Sequence, residues 1–92
     1  MLLIEWTTTA RLDLLEILGY IAERNEQAAY RLFERIEHEV EHAAEHPYLF
    51  KASQRVPGLR EIVTHPNYIV FYQVTASAIK VVNVVHARRE FP

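Results

Sequence analysis

Residues 79–86 read IKVVNVVH. Five of the eight are branched aliphatics, and the near-continuous apolar run has the signature of a central strand covered on both faces rather than the alternation of a half-solvated one. Working back from it, Thr75-Ala76-Ser77 reads as a turn and Tyr68 to Val74, rich in aromatic and branched residues, as a second strand. His65-Pro66-Asn67 is another turn, and Leu59 to Thr64 a third strand. Together they make an antiparallel meander.

Upstream the periodicity changes. Pro47 to Gly58 reads as a surface loop, with KASQR and Pro57-Gly58 as its markers. Before it, Ala29, Leu32, Phe33, Ile36, Val40 and Ala43 recur at helical spacing, with Asn25 as the cap, Glu26 in the first turn, and a stop near His46 imposed by Pro47. Ala10, Leu14, Ile17, Leu18 and Ile21 define an earlier helix that ends at Ala22 and is capped within Thr7 to Thr9. Leu2 to Trp6 reads as the first strand. The expected fold is therefore α+β in the order β-α-α-β-β-β, a helical hairpin packed on one face of a mainly antiparallel sheet.

A chain of 92 residues supports one core, so residues 1–92 are expected to form a single domain. Cysteine is absent, which removes disulfides and thiolate metal sites. No run approaches the roughly 18–20 apolar residues a membrane helix needs, so a cytoplasmic protein without membrane contact is expected. The net charge of −2 conceals an asymmetry: residues 1–46 carry ten acids against four arginines, and residues 47–92 two acids against six bases. An anionic partner for the C-terminal half is one reading; solubilising acids on helices and protective cations on sheet edges is the other.

His38-Glu39-Val40-Glu41-His42 is a literal HExxH, the zinc-protease pattern. Its placement argues against that chemistry. His38 and His42 lie roughly 200° and 240° around the helix from Ile36, among Glu34 and Glu41 on the outer face, where no third ligand or cleft is expected. Neither a metal nor a cofactor is assigned.

The chain closes on Val84-Val85-His86-Ala87-Arg88-Arg89-Glu90-Phe91-Pro92. With the start of the 59–64 strand and the end of the 79–86 strand taken to share one end of the meander, Arg60, His86, Arg88 and Arg89 are expected to form a cluster that binds phosphate or carboxylate. In the alternative reading Arg60 pairs with Glu61, Arg88 and Arg89 form a solvated tail, and His86 is structural.

Six segments in order, WTxxAxxDL (6–14), IxxYIA (17–22), HPYLF (46–50), PGLREIV (57–63), YIVFY (68–72) and VVHARREFP (84–92), resemble the RelE/ParE superfamily of bacterial type II toxins, and most closely its ParE branch. The resemblance implies the same β-α-α-β-β-β fold and a cognate antitoxin, through which alone DNA is contacted. It implies a target as well: DNA gyrase for ParE-like members, with roles in growth arrest and plasmid stabilisation, or messenger RNA on the ribosome for RelE-like ones. A nuclease would use Arg60, His86 and Arg89, with His86 and Glu61 as an acid-base pair, because Phe91 stands near where many nucleolytic members carry a tyrosine. A binding protein would instead present Arg60, His86, Arg88, Arg89 and Phe91 to antitoxin or target, with no catalytic residue. A third reading is a member that only joins its antitoxin in repressing their operon.

Overall fold

The computed structural model describes residues 1–64 and 67–88. Six elements follow in order: β1 (Leu3–Trp6), α1 (Thr8–Ala22), α2 (Glu26–Glu45), β2 (Arg60–Thr64), β3 (Tyr68–Val74) and β4 (Ala78–His86). The sheet order is β1-β4-β3-β2, with β1 parallel to β4 and both other pairings antiparallel. The α+β architecture is the expected one. Strand boundaries move by one residue: Leu2 donates to the Ala44 carbonyl (3.0 Å) at the end of α2 instead of entering β1, and Leu59 belongs to the turn made by Gly58, whose φ of 88° is open only to glycine at low cost.

Capping residues set the helix starts. The Thr7 side chain accepts from the Ala10 amide at 3.0 Å, and Asn25 Oδ1 accepts from the Ala28 amide at 3.1 Å. Each satisfies a donor that the first helical turn leaves orphaned. Ala29, Leu32, Ile36, Val40, Ala43 and Ala44 form the buried stripe of α2. From α1, Ala10 and Leu14 are buried, while Leu12 and Leu15 are exposed on its outer side.

The helices cover one face of the sheet. Ile62, Tyr68, Val70, Tyr72, Ile79, Val81 and Val84 share a core with Ile36 and Leu14. β4 is interior, as its apolar run predicts, but its coverage on both faces is incomplete: Lys80, Val82, Asn83 and Val85 stay half-buried. Tyr72 faces Val81 and Phe71 faces Asn83, which leaves Val82 as the extra residue of a bulge.

β1 is short, and this decides what α1 does. It accompanies β4 only as far as Val81. Past that point the edge of β4 would present bare backbone groups, which cost free energy unless paired. Side chains at the start of α1 take over: Thr7 Oγ1 donates to the Val82 carbonyl (3.1 Å), and Asp13 Oδ2 accepts from the Val84 amide (3.0 Å) and Asn83 Nδ2 (3.3 Å). The Thr7 hydroxyl and the Asp13 carboxylate thus each take one backbone group of the β4 edge beyond β1.

Asp13→Ala is expected to lower unfolding stability by about 1–3 kcal/mol, the cost of stranding donors in a partly buried place. Asp13→Asn, which keeps an acceptor, is expected to lose less. Urea denaturation of the three proteins checks both.

Candidate functional site

The structure separates the residues that sequence reasoning grouped. Arg60 lies opposite Tyr72, and His86 lies opposite Tyr68. Four residue steps of β3 therefore separate them along the strands, about 13 Å, with a further ~10 Å across two strand spacings. The expectation failed for a simple reason. In a meander the third strand runs in the direction of the first, so the start of β2 shares an end with the start of β4, where Val74 meets Ile79. His86 is at the other end. The proposed His86–Glu61 pair fails with it, since Glu61 faces Phe71. Arg88 is exposed and follows His86; Arg89 and Phe91 lie outside the described residues.

The Arg60 end is closed by the long loop before β2. Arg60 Nη1 donates to the Phe50 carbonyl at 2.8 Å, and its guanidinium lies over the Tyr48 ring, 4.7 Å from the centroid. Tyr72, fully buried, donates its hydroxyl to the Pro47 carbonyl at 2.7 Å. The Phe50 ring meets Tyr72 edge-on at 6.4 Å and His42 at 6.3 Å, so the HPYLF segment is clamped between α2 and β3. Farther along, Ser53 Oγ donates to Glu61 Oε2 at 2.6 Å, while Arg55 lies 3.9 Å from Glu61 Oε1. Glu61 is 5% exposed, and this neutralising pair makes its burial tolerable. Its partner is Arg55, not the adjacent Arg60. Burial pushes the Tyr72 hydroxyl above its ordinary pKa of 10.0, and the Arg60 charge opposes the shift.

The His86 end is open. The His86 ring stands edge-on to Tyr68, centroids 5.2 Å apart, and Nδ1 accepts from the Arg88 amide at 3.2 Å. A cleft of about 370 Å³ opens beside it, walled by Asp13, Glu16, Tyr20, Tyr68 and Val84. His86 thus shares its cleft with the Asp13 and Glu16 carboxylates and not with Arg60. His38 and His42 are exposed on α2 and their rings lie 6.5 Å apart.

Sequence reasoning passed over Asp13, Tyr48, Phe50 and Tyr72. All four stood in the WTxxAxxDL, HPYLF and YIVFY segments, but nothing in a linear pattern marks a helical aspartate as the cap of a strand 70 residues away. A tyrosine within the aromatic and branched 68–74 strand was a legible signal, because a buried tyrosine needs a partner for its hydroxyl.

With the geometry in place, known proteins supply context. Residues 4–91 match the family model described as the ParE toxin of the type II toxin-antitoxin system parDE. The chain is 32% identical over 84 residues to Toxin RelE2 of Caulobacter vibrioides, covering 91% of this chain and 93% of that one. A solved chain of the chromosomal ParDE TA system from P. aeruginosa superimposes with a TM-score of 0.81 at 18% identity, over 96% of this chain and 98% of the other. A conserved hypothetical protein of Helicobacter pylori superimposes with a TM-score of 0.66 at 12% identity, covering 99% and 100%. Those two structural likenesses bear on the fold.

Because the folded state favours the protonated Tyr72 hydroxyl, its contribution is fully present below pH 10 and is lost as pH rises above it. Tyr72→Phe is expected to reduce stability by about 0.5–1.5 kcal/mol at pH 7 and to flatten the decline that sets in above pH 10. Denaturant midpoints across that range check it.

Proposed function

Because the chain belongs to the ParE toxin family of type II toxin-antitoxin systems, we propose that it acts in the cytoplasm by binding DNA gyrase and arresting growth, and that a cognate antitoxin neutralises it. The observation that carries this reading is the distance between Arg60 and His86 at opposite ends of the sheet. Metal-free RNA cleavage needs a base, an acid and phosphate-stabilising cations around one scissile bond. Here Arg60 is engaged with Phe50 and Tyr48, and His86 lines a cleft with Asp13 and Glu16. A binding surface makes no such demand for convergence.

Surface chemistry supports a protein partner. Tyr30 on α2, Leu12 and Leu15 on α1, and Tyr48 and Leu49 in the loop are exposed. A disordered antitoxin segment gains most of its affinity by covering such residues as it folds, with its acids directed to Arg60 and Arg88. DNA enters only through the antitoxin. Among the described residues, no helix is long and apolar enough to cross a membrane. The relative named Toxin RelE2 favours a second reading, a ribosome-dependent messenger endoribonuclease using Arg60, His86 and Arg89.

Adding the purified chain to gyrase is expected to block supercoiling, and inducing it in cells is expected to arrest growth with messages intact. Unimpaired supercoiling at saturating protein would sink the gyrase reading. Messages cut on ribosomes, with cutting abolished by His86→Ala, would establish the second reading in its place.

A further inference from the structure

Helix α1 has a second face that the domain does not use. Ala10, Leu14, Ile17 and Ile21 pack inward. On the opposite side Thr8, Leu12, Leu15 and Gly19 are exposed, Leu12 by 60% and Leu15 by 65%. Their spacing of four, three and four residues is the a/d repeat of a helix that pairs with another. At 100° per residue the four fall within an arc of about 60°. The reading above has an antitoxin cover Leu12 and Leu15 in the complex; in the free chain the seam is bare.

Two further observations say what fits it. Arg11 and Glu16 flank the seam on either side, both exposed, and neither has an ion pair among the described residues. In the heptad they occupy g and the following e, the relation in which a side chain of one helix reaches its counterpart on a parallel copy. Antiparallel helices would instead bring g to g and set arginine toward arginine. The seam is therefore complementary to itself in charge. Gly19 is the second observation. A Cβ there would meet nothing within 4 Å, and its φ is not positive, so neither the packing nor the backbone of the domain calls for glycine. A helix interior tolerates glycine worse than any residue but proline. Opposite a second helix, its missing side chain lets the two backbones converge.

We infer that the free chain forms a weak symmetric dimer in which α1 lies parallel to α1 of a second copy. Leu12 and Leu15 meet their counterparts across a twofold axis running along the seam, and Arg11 of each copy pairs with Glu16 of the other. The domain already holds α1 as a helix, so pairing has no helix to nucleate. The contact is one helix wide, below the size of a standard interface, which makes the association weak and dynamic. The sheets, lying behind the inward face of α1, stand on opposite sides of the pair.

Sedimentation equilibrium of the whole chain, without antitoxin or gyrase, tests this. A monomer–dimer equilibrium with a Kd on the order of 100 µM at low salt is expected. Leu15→Gln is expected to weaken pairing about tenfold, by removing apolar area from the seam of both copies. Leu15 is exposed, so the thermal midpoint of the dilute variant is expected to stay where it was. Arg11→Glu alone, and Glu16→Arg alone, are each expected to weaken pairing about tenfold by setting like charges across the seam. The double variant is expected to restore it, and mixing the two single variants to give a heterodimer. A monomer throughout, or pairing indifferent to Leu15→Gln, would overturn the inference. Pairing lost with Leu15→Gln but untouched by either charge reversal would overturn the parallel arrangement. Because neither antitoxin nor gyrase is present, failure here leaves the proposed function standing.

Discussion

Everything in this fold depends on the first strand finding the last. Leu3 to Trp6 pair in parallel with Ala78 to Val81, closing a loop that contains both helices, the long loop and two strands. A parallel pair cannot be made by a hairpin, so the intervening chain must cross over the sheet, and the helical hairpin is that crossover. Closing so long a loop is entropically unfavourable before it is rewarded by contacts. Its reward is concentrated at Thr7, which ends β1, caps α1, and bonds the Val81 and Val82 carbonyls. With Asp13 one and a half turns on, it fixes α1 against β4 by polar contacts where the helix has only a narrow apolar stripe.

The same topology gives the sheet two chemically unlike ends. Where β2 begins, the HPYLF loop folds back and satisfies its own groups: Arg60 on Phe50 and Tyr48, Tyr72 on Pro47, Glu61 on Ser53 and Arg55. That end is finished as a piece of structure. Where β4 ends, β1 has already stopped, and α1 has tilted its polar side across the gap. Carboxylates, two tyrosines and an imidazole are left around open space. The contrast explains why cations that look adjacent to function in sequence serve different purposes in the fold.

Element identity was legible because each signal was local. Asn25 and Thr7 announce helix starts, Pro47 a stop, and the aliphatic run at 79–86 an interior strand, each through geometry that reaches no farther than a few residues. Pairwise placement was not. Whether Arg60 meets His86 depends on the direction of three strands counted together, and one miscounted reversal moved a charge across the whole sheet. Asp13 was hidden for another reason: its role exists only because β1 stops opposite Val81, a fact no residue of α1 encodes. The outward placement of His38 and His42, by contrast, followed from helical angle alone and agrees with their exposure.

The interior position of β4 has a bearing on incomplete chains. A polypeptide that stops before Ala78 still contains both helix sequences and the β2–β3 hairpin, yet β1 then has no neighbour and β3 has one bare edge in the middle of the core. Such a product is not a weakened form of the domain; it lacks the element to which the other two parts are joined. The folded surface of the molecule comes into existence only with its last strand.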